Sequence, residues 1–67
     1  MKVYVQDPVT HSFLCQDGNW SKELDKARDF ITTADAVTFC TTHVRKHYQI
    51  LVRFSDPAYD IILPGPS

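Results

Sequence analysis

One stretch of this chain repeats its apolar residues at the period of a helix, and that stretch limits the folds open to it. At about 100° per residue, Ala36, Val37, Phe39, Cys40 and Val44 share one arc, while Asp35, Thr38, Thr42 and Arg45 lie on the other side. Thr32 or Thr33 supplies a side-chain oxygen to cap the start, and Asp35 suits the positively polarised first turn. The pattern fades near His43, so a helix is expected over residues 33–43. The remaining apolar runs are of strand type. Lys2-Val3-Tyr4-Val5-Gln6 alternates, Ser12-Phe13-Leu14-Cys15-Gln16 reads as its returning partner, and Tyr48-Gln49-Ile50-Leu51-Val52-Arg53-Phe54 is the richest in β-formers. Ile61-Ile62-Leu63 gives a short final strand. A single helix among period-two segments defines an α+β fold: a small antiparallel β-sheet in β-β-α-β-β order, with one principal helix packed on one face.

The connections carry turn chemistry. Asp7-Pro8 opens the first hairpin, because proline presets φ and the aspartate can accept from nearby amides. Asp17-Gly18-Asn19 ends the second strand with a glycine free to take positive φ, and Trp20 is placed over the edge of the core. Ser21 is expected to cap one short helical turn, with Ala27 and Phe30 pointing inward after it, and Ser55-Asp56-Pro57 turns the chain into its last strand. With 67 residues there is room for one core, assigned to residues 1–63, with 64–67 as a tail.

Counting faces gives the functional expectation. Successive strand residues point to opposite sides of a sheet, and one helix covers one side. Val3, Val5, Phe13, Cys15, Ile50, Val52, Phe54, Ile61 and Leu63 form a consistent helix-side set. Tyr4, Leu14, Leu51 and Ile62 are left facing away, one from each strand, inside a polar ring of Lys2, Gln6, Gln16, Gln49 and Arg53. A contiguous exposed apolar patch marks an interface. The expected role is therefore a small protein-interaction module, most simply a homodimer, pairing through the sheet face opposite the helix.

Other chemistries are less well served. Cys40, His43 and His47 have a C-x2-H-x3-H spacing that on a continuous helix brings them within about 60° of one another, with Cys15 or His11 as a fourth ligand. Their arc overlaps the core stripe and the helix stops before His47, so packing is the expected role and neither metal nor cofactor is expected. Cysteine catalysis from Cys40 with His43, or Cys15 with His11, needs an activated thiolate in a pocket, whereas both thiols map to inward faces. Asp25, Asp29, Asp56 and Asp60 sit beside cations or in turns, and two glycines cannot form a phosphate loop. No enzyme activity is expected. Arg45, Lys46 and Arg53, with Tyr48 as a stacking ring, make the alternative a weak nucleic-acid-binding surface. Against it, seven basic residues and eight acidic ones give a net charge of −1, with no general attraction for phosphate or for an anionic membrane. The first residues lack an apolar leader, no run approaches the roughly 20 apolar residues of a membrane span, and two cysteines are too few for a disulfide scaffold; a cytoplasmic protein is expected.

Overall fold

The two strongest β-forming runs pair with each other at the centre of the sheet. β1 (Lys2–Gln6) and β4 (Gln49–Arg53) run antiparallel over five matched positions, from Lys2↔Arg53 to Gln6↔Gln49. The computed structural model describes residues 1–44 and 46–65. Within them β2 (Phe13–Leu14), β3 (Trp20–Ser21) and β5 (Ile61–Pro64) complete an antiparallel sheet of order β3-β2-β1-β4-β5, and α1 (Thr33–His43) lies between β3 and β4 in the chain. This is the small α+β fold read from the periodicity, with a third short strand before the helix. Trp20 does not merely lie over the core edge; it pairs with Leu14 as an edge-strand residue.

α1 begins where the sequence allows it to. Thr32 is extended (φ −134°, ψ 163°), and its hydroxyl oxygen accepts from the Asp35 amide at 3.1 Å, satisfying one of the orphan donors of the first turn. Ala36 and Cys40, one turn apart, are fully buried against Val3, Val5, Ile50 and Val52. Phe30, Trp20, Val37, Phe39 and Val44 close the same cluster. Phe30 is fixed there by its backbone amide, which donates to the Val3 carbonyl at 2.8 Å and extends the sheet beside β1 where β2 has ended.

The first hairpin corrects the expected faces of β2. Asp7 accepts from the amides of Val9 (2.8 Å) and Thr10 (3.3 Å), the His11 amide donates to the Asp7 carbonyl at 2.9 Å, and His11 takes φ 63°. Histidine is among the residues that tolerate this left-handed region best. The loop therefore closes with Asp7 opposite Ser12 and Gln6 opposite Phe13. That register puts Phe13 on the side of Tyr4 and Leu14 on the helix side, the reverse of the alternation expected from sequence. A register shift of one residue exchanges the faces of a whole strand. Cys15 goes with Phe13, away from the helix.

The second correction concerns what covers the face opposite α1. After β3, residues Leu24–Lys26 form one 3₁₀ turn. Ser21 is not its helix cap; its hydroxyl oxygen accepts from the Glu23 amide in the preceding turn, 3.1 Å. Leu24 and Ala27 pack on Tyr4, Phe13 and Leu51, and Ala27 bridges to Cys15. Tyr4 and Phe13 meet edge to face, with centroids 5.8 Å apart. The sheet is thus covered on both sides around β1 and β4, by a helix on one and a single short turn on the other.

Candidate functional site

β5 is where that cover stops. It is reached through Ser55-Asp56-Pro57 and a 3₁₀ turn, in which the Asp56 carboxylate accepts from the Ala58 amide and its carbonyl from the Tyr59 amide, both at 3.0 Å. The mouth of this hairpin is held by a forked ion pair. Arg53 Nε lies 3.1 Å from both Asp60 carboxylate oxygens and Nη2 lies 2.7 Å from Oδ2. The guanidinium holds the Asp60 carboxyl below the usual range, and the carboxylate raises Arg53 in turn. At the far end Gly65 donates to the Tyr48 carbonyl at 3.1 Å, so the ladder continues through Pro64, past the boundary at residue 63 expected from sequence. Gly65 also packs so closely on Tyr48 that a Cβ would collide with its carbonyl.

α1 packs chiefly on β1 and β4 and leaves β5 largely uncovered. In consequence Ile61, Ile62 and Leu63 are 45%, 47% and 40% exposed, and Phe54 beside them is 40% exposed. Ile61 and Leu63 lie on the helix side, opposite Val52 and Ile50, and Ile62 lies on the other side, opposite Leu51. The strand is therefore half bare on both faces. Among the described residues its outer edge is also open. Hydrogen-bonded and non-bonded positions alternate in an antiparallel pair, and the Tyr48–Gly65 bond fixes the phase. Ile61 and Leu63 bond inward to β4, while the backbone groups of Ile62 and Pro64 point outward. Proline lacks an N–H, and an outward position on an edge strand is where that costs the ladder nothing.

Of the four residues assigned from sequence to an exposed patch, only Ile62 is exposed. Tyr4, Leu14 and Leu51 are 6%, 4% and 4% exposed. Leu14 is on the helix side because of the hairpin register, and Tyr4 and Leu51 are covered by Leu24 and Ala27. The exposed apolar residues that replace them, Ile61, Leu63 and Phe54, belong to the set expected on the helix side. One signal for them stands in the sequence: three consecutive large apolar residues in a strand cannot all face one side, so such a strand is either sandwiched or bare.

The basic residues do not gather. Lys46 Nζ lies 2.6 Å from the Asp7 carboxylate and 4.3 Å from the centroid of the Trp20 ring, tying the segment after α1 to the end of β1 and to β3. Lys46 precedes β4 and Arg53 ends it, with the whole strand, about 13 Å from Gln49 to Arg53, between them, and the charge of Arg53 is matched by Asp60. Arg45 lies outside the described residues. Tyr48, proposed as a stacking ring, is 8% exposed, and its hydroxyl has no hydrogen-bond partner among the described residues.

The thiols and imidazoles are also separated. Cys40 is fully buried, and burial raises its thiol to about 11, so little thiolate forms near neutrality. His43 and His47 are exposed, and the His43 ring stacks on Phe39 with centroids 4.4 Å apart. Among the described residues no three His, Cys, Asp or Glu side chains converge as metal ligands would. An open groove of about 940 Å³ runs beneath the 3₁₀ turn, lined by Lys2, Tyr4, Asp17, Asp25, Lys26 and Asp29 among others. Its charges are of both signs and several are paired within the protein, Lys26 with Glu23 at 2.8 Å and Lys2 with Asp29 at 4.0 Å. No helix among the described residues is long and apolar enough to cross a membrane. Comparison with protein-family models, with curated proteins and with solved structures gives no match.

Proposed function

We propose that this chain is a non-catalytic protein-interaction module and that β5 is the element it docks through. One observation carries the reading: three consecutive apolar side chains, 40–47% exposed on two faces of a strand whose outer edge is unpaired among the described residues. An open edge binds by adding a strand, with backbone hydrogen bonds giving affinity and the flanking apolar side chains giving contact area. The role is the one expected from sequence, moved from the face of the sheet to its edge. Two buried free thiols in separate parts of the core support the cytoplasm as the compartment. The test is molecular mass by light scattering from micromolar to millimolar protein, for the wild type and for Ile62→Lys. A rise in mass with concentration, weakened at least tenfold by Ile62→Lys in a protein of unchanged circular dichroism, supports it. A strict monomer throughout, or association indifferent to residue 62, overturns it.

A further inference from the structure

We infer that the partner of β5 is a second copy of β5, paired antiparallel about a two-fold axis that passes through Ile62. The inference rests on the interaction reading above and names its partner. The outward backbone groups are those of Ile62, the carbonyl of Pro64 and, one step earlier in the same alternation, those of Asp60, whose side chain meets Arg53 across the hairpin. An antiparallel ladder between two copies must match outward residues with outward residues, and requiring that at least two of these three positions in each copy be matched leaves three axes, through residue 61, 62 or 63.

The axis at Leu63 matches Ile62 with Pro64 and forms only the two bonds from the Ile62 amides, because proline has no N–H. The axis at Ile61 forms four bonds but sets Asp60 opposite Ile62 and brings the two Asp60 side chains onto neighbouring positions. The axis at Ile62 also forms four bonds: each Ile62 amide donates to the other Ile62 carbonyl, and each Asp60 amide to the partner's Pro64 carbonyl. Here the matches among Ile61, Ile62 and Leu63 are all apolar, Ile62 against Ile62 on one face and Ile61 against Leu63 on the other, and Asp60 falls opposite the partner's Pro64. The carboxylates are carried to the two ends of the ladder, about 13 Å apart along the strand. Like charges directly opposite destabilise a pair and apolar matches stabilise it, so the axis at Ile62 is favoured. It joins two copies as one continuous sheet with a self-complementary contact, as two-fold symmetry requires.

Three half-exposed side chains and Phe54 provide much less than the about 800 Å² per partner of a standard interface, so the dimer is weak and reversible, forming at roughly micromolar to millimolar protein. Pro64 shortens the ladder, because that outward position offers no amide.

The experiment is oxidation by diamide of Ile61→Cys, of Leu63→Cys, and of an equal mixture of the two, near the concentration at which the mass rises, with wild type as the background for Cys15 and Cys40. In the inferred register residue 61 faces residue 63 of the other copy at a non-hydrogen-bonded position, with Cα atoms about 4.5 Å apart. Residue 61 lies diagonally from its own counterpart at about 7–8 Å, beyond the reach of a disulfide. A disulfide dimer is therefore expected in the mixture, in at least fivefold excess over either variant alone. Self-linking of Ile61→Cys alone, or of Leu63→Cys alone, with association still sensitive to Ile62→Lys, overturns the axis and leaves β5 as the docking strand. Constant monomer mass overturns the interaction reading itself. Both variants replace exposed residues, and native circular dichroism of each confirms that the comparison is between folded proteins.

Discussion

Asp7 shows how much one side chain can organise in a small sheet. It closes the first hairpin by accepting from Val9 and Thr10, and it holds Lys46, which in turn covers Trp20. The Lys46 ammonium first, and then the Val9 and Thr10 amides, lower its carboxyl from 3.8 to about 2, against the opposing effect of partial burial. A carboxyl whose folded pKa is depressed adds stability that is complete above the unfolded value and is lost as pH falls through the folded one. The wild type should therefore lose stability between pH 4 and pH 2 on account of this group. Asp7→Asn, which keeps the shape and removes the charge, should be less stable at pH 6 and have a flatter pH dependence in that window. The two proteins should converge below pH 2. Urea midpoints measured from pH 2 to pH 7 check this, and parallel curves for the two proteins would show that Asp7 acts through shape alone.

Among the elements, the single 3₁₀ turn at Leu24–Lys26 has the largest effect for its size. It carries one apolar residue in a charged stretch, yet that residue and Ala27 bury an aromatic pair and Leu51 on the face that α1 cannot reach. Leu24 is itself only partly buried, so Leu24→Ala should destabilise by about 1–2 kcal/mol, less than truncation of a fully buried leucine. For a domain of this length that is a fall of roughly 5–15 °C in Tm, measured by thermal circular dichroism. Leu24→Met, which retains most of the cover, should fall by much less. A Tm unchanged in Leu24→Ala would mean that Tyr4 and Leu51 are kept from water by something other than this turn. The same burial makes Leu51→Glu a poor probe of association, since it would put a charge into the core.

The whole molecule divides at β4. On one side of it Val3, Val5, Ile50, Ala36 and Cys40 form a close core beneath α1; on the other, β5 is attached by its backbone and by the Arg53–Asp60 fork. Two isoleucines of one hairpin should therefore behave differently. Ile50 is 2% exposed and Ile62 47% exposed. Ile50→Ala should cost about 2–5 kcal/mol, a large part of the roughly 3–10 kcal/mol available to a chain of this size. Ile62→Ala should cost less than about 1 kcal/mol in dilute monomer and show its main effect in association. Urea denaturation at low micromolar protein separates the two, and equal losses would place Ile62 in the core. A chain this small buries a modest fraction of its surface, so an exposed apolar strand is also where pairing would add most to stability.

What the sequence determined by itself is what depends on residues near one another in the chain. The helix over residues 33–43, its threonine cap, the positive φ at Gly18 (88°) and the first hairpin follow from period, capping and turn chemistry, whereas the pairing of β1 with β4 joins residues more than 40 apart and belongs to the tertiary structure. The alternation was legible too within β1, β4 and β5, where Val3, Val5, Ile50 and Val52 face α1 as their spacing requires. Tertiary structure decided the rest. The face of β2 hangs on the conformation of four loop residues, Pro8 to His11, and one unit of register there exchanged Leu14 for Phe13. The burial of Tyr4 and Leu51 hangs on where a single leucine comes to rest after β3, and no periodicity records that. The exposure of β5 hangs on how far an eleven-residue helix extends across a five-stranded sheet. A residue's alternation gives the side it points to, but whether that side is covered depends on elements far away in the chain, and hydrophobicity alone cannot distinguish an isoleucine in a core from one on an open edge.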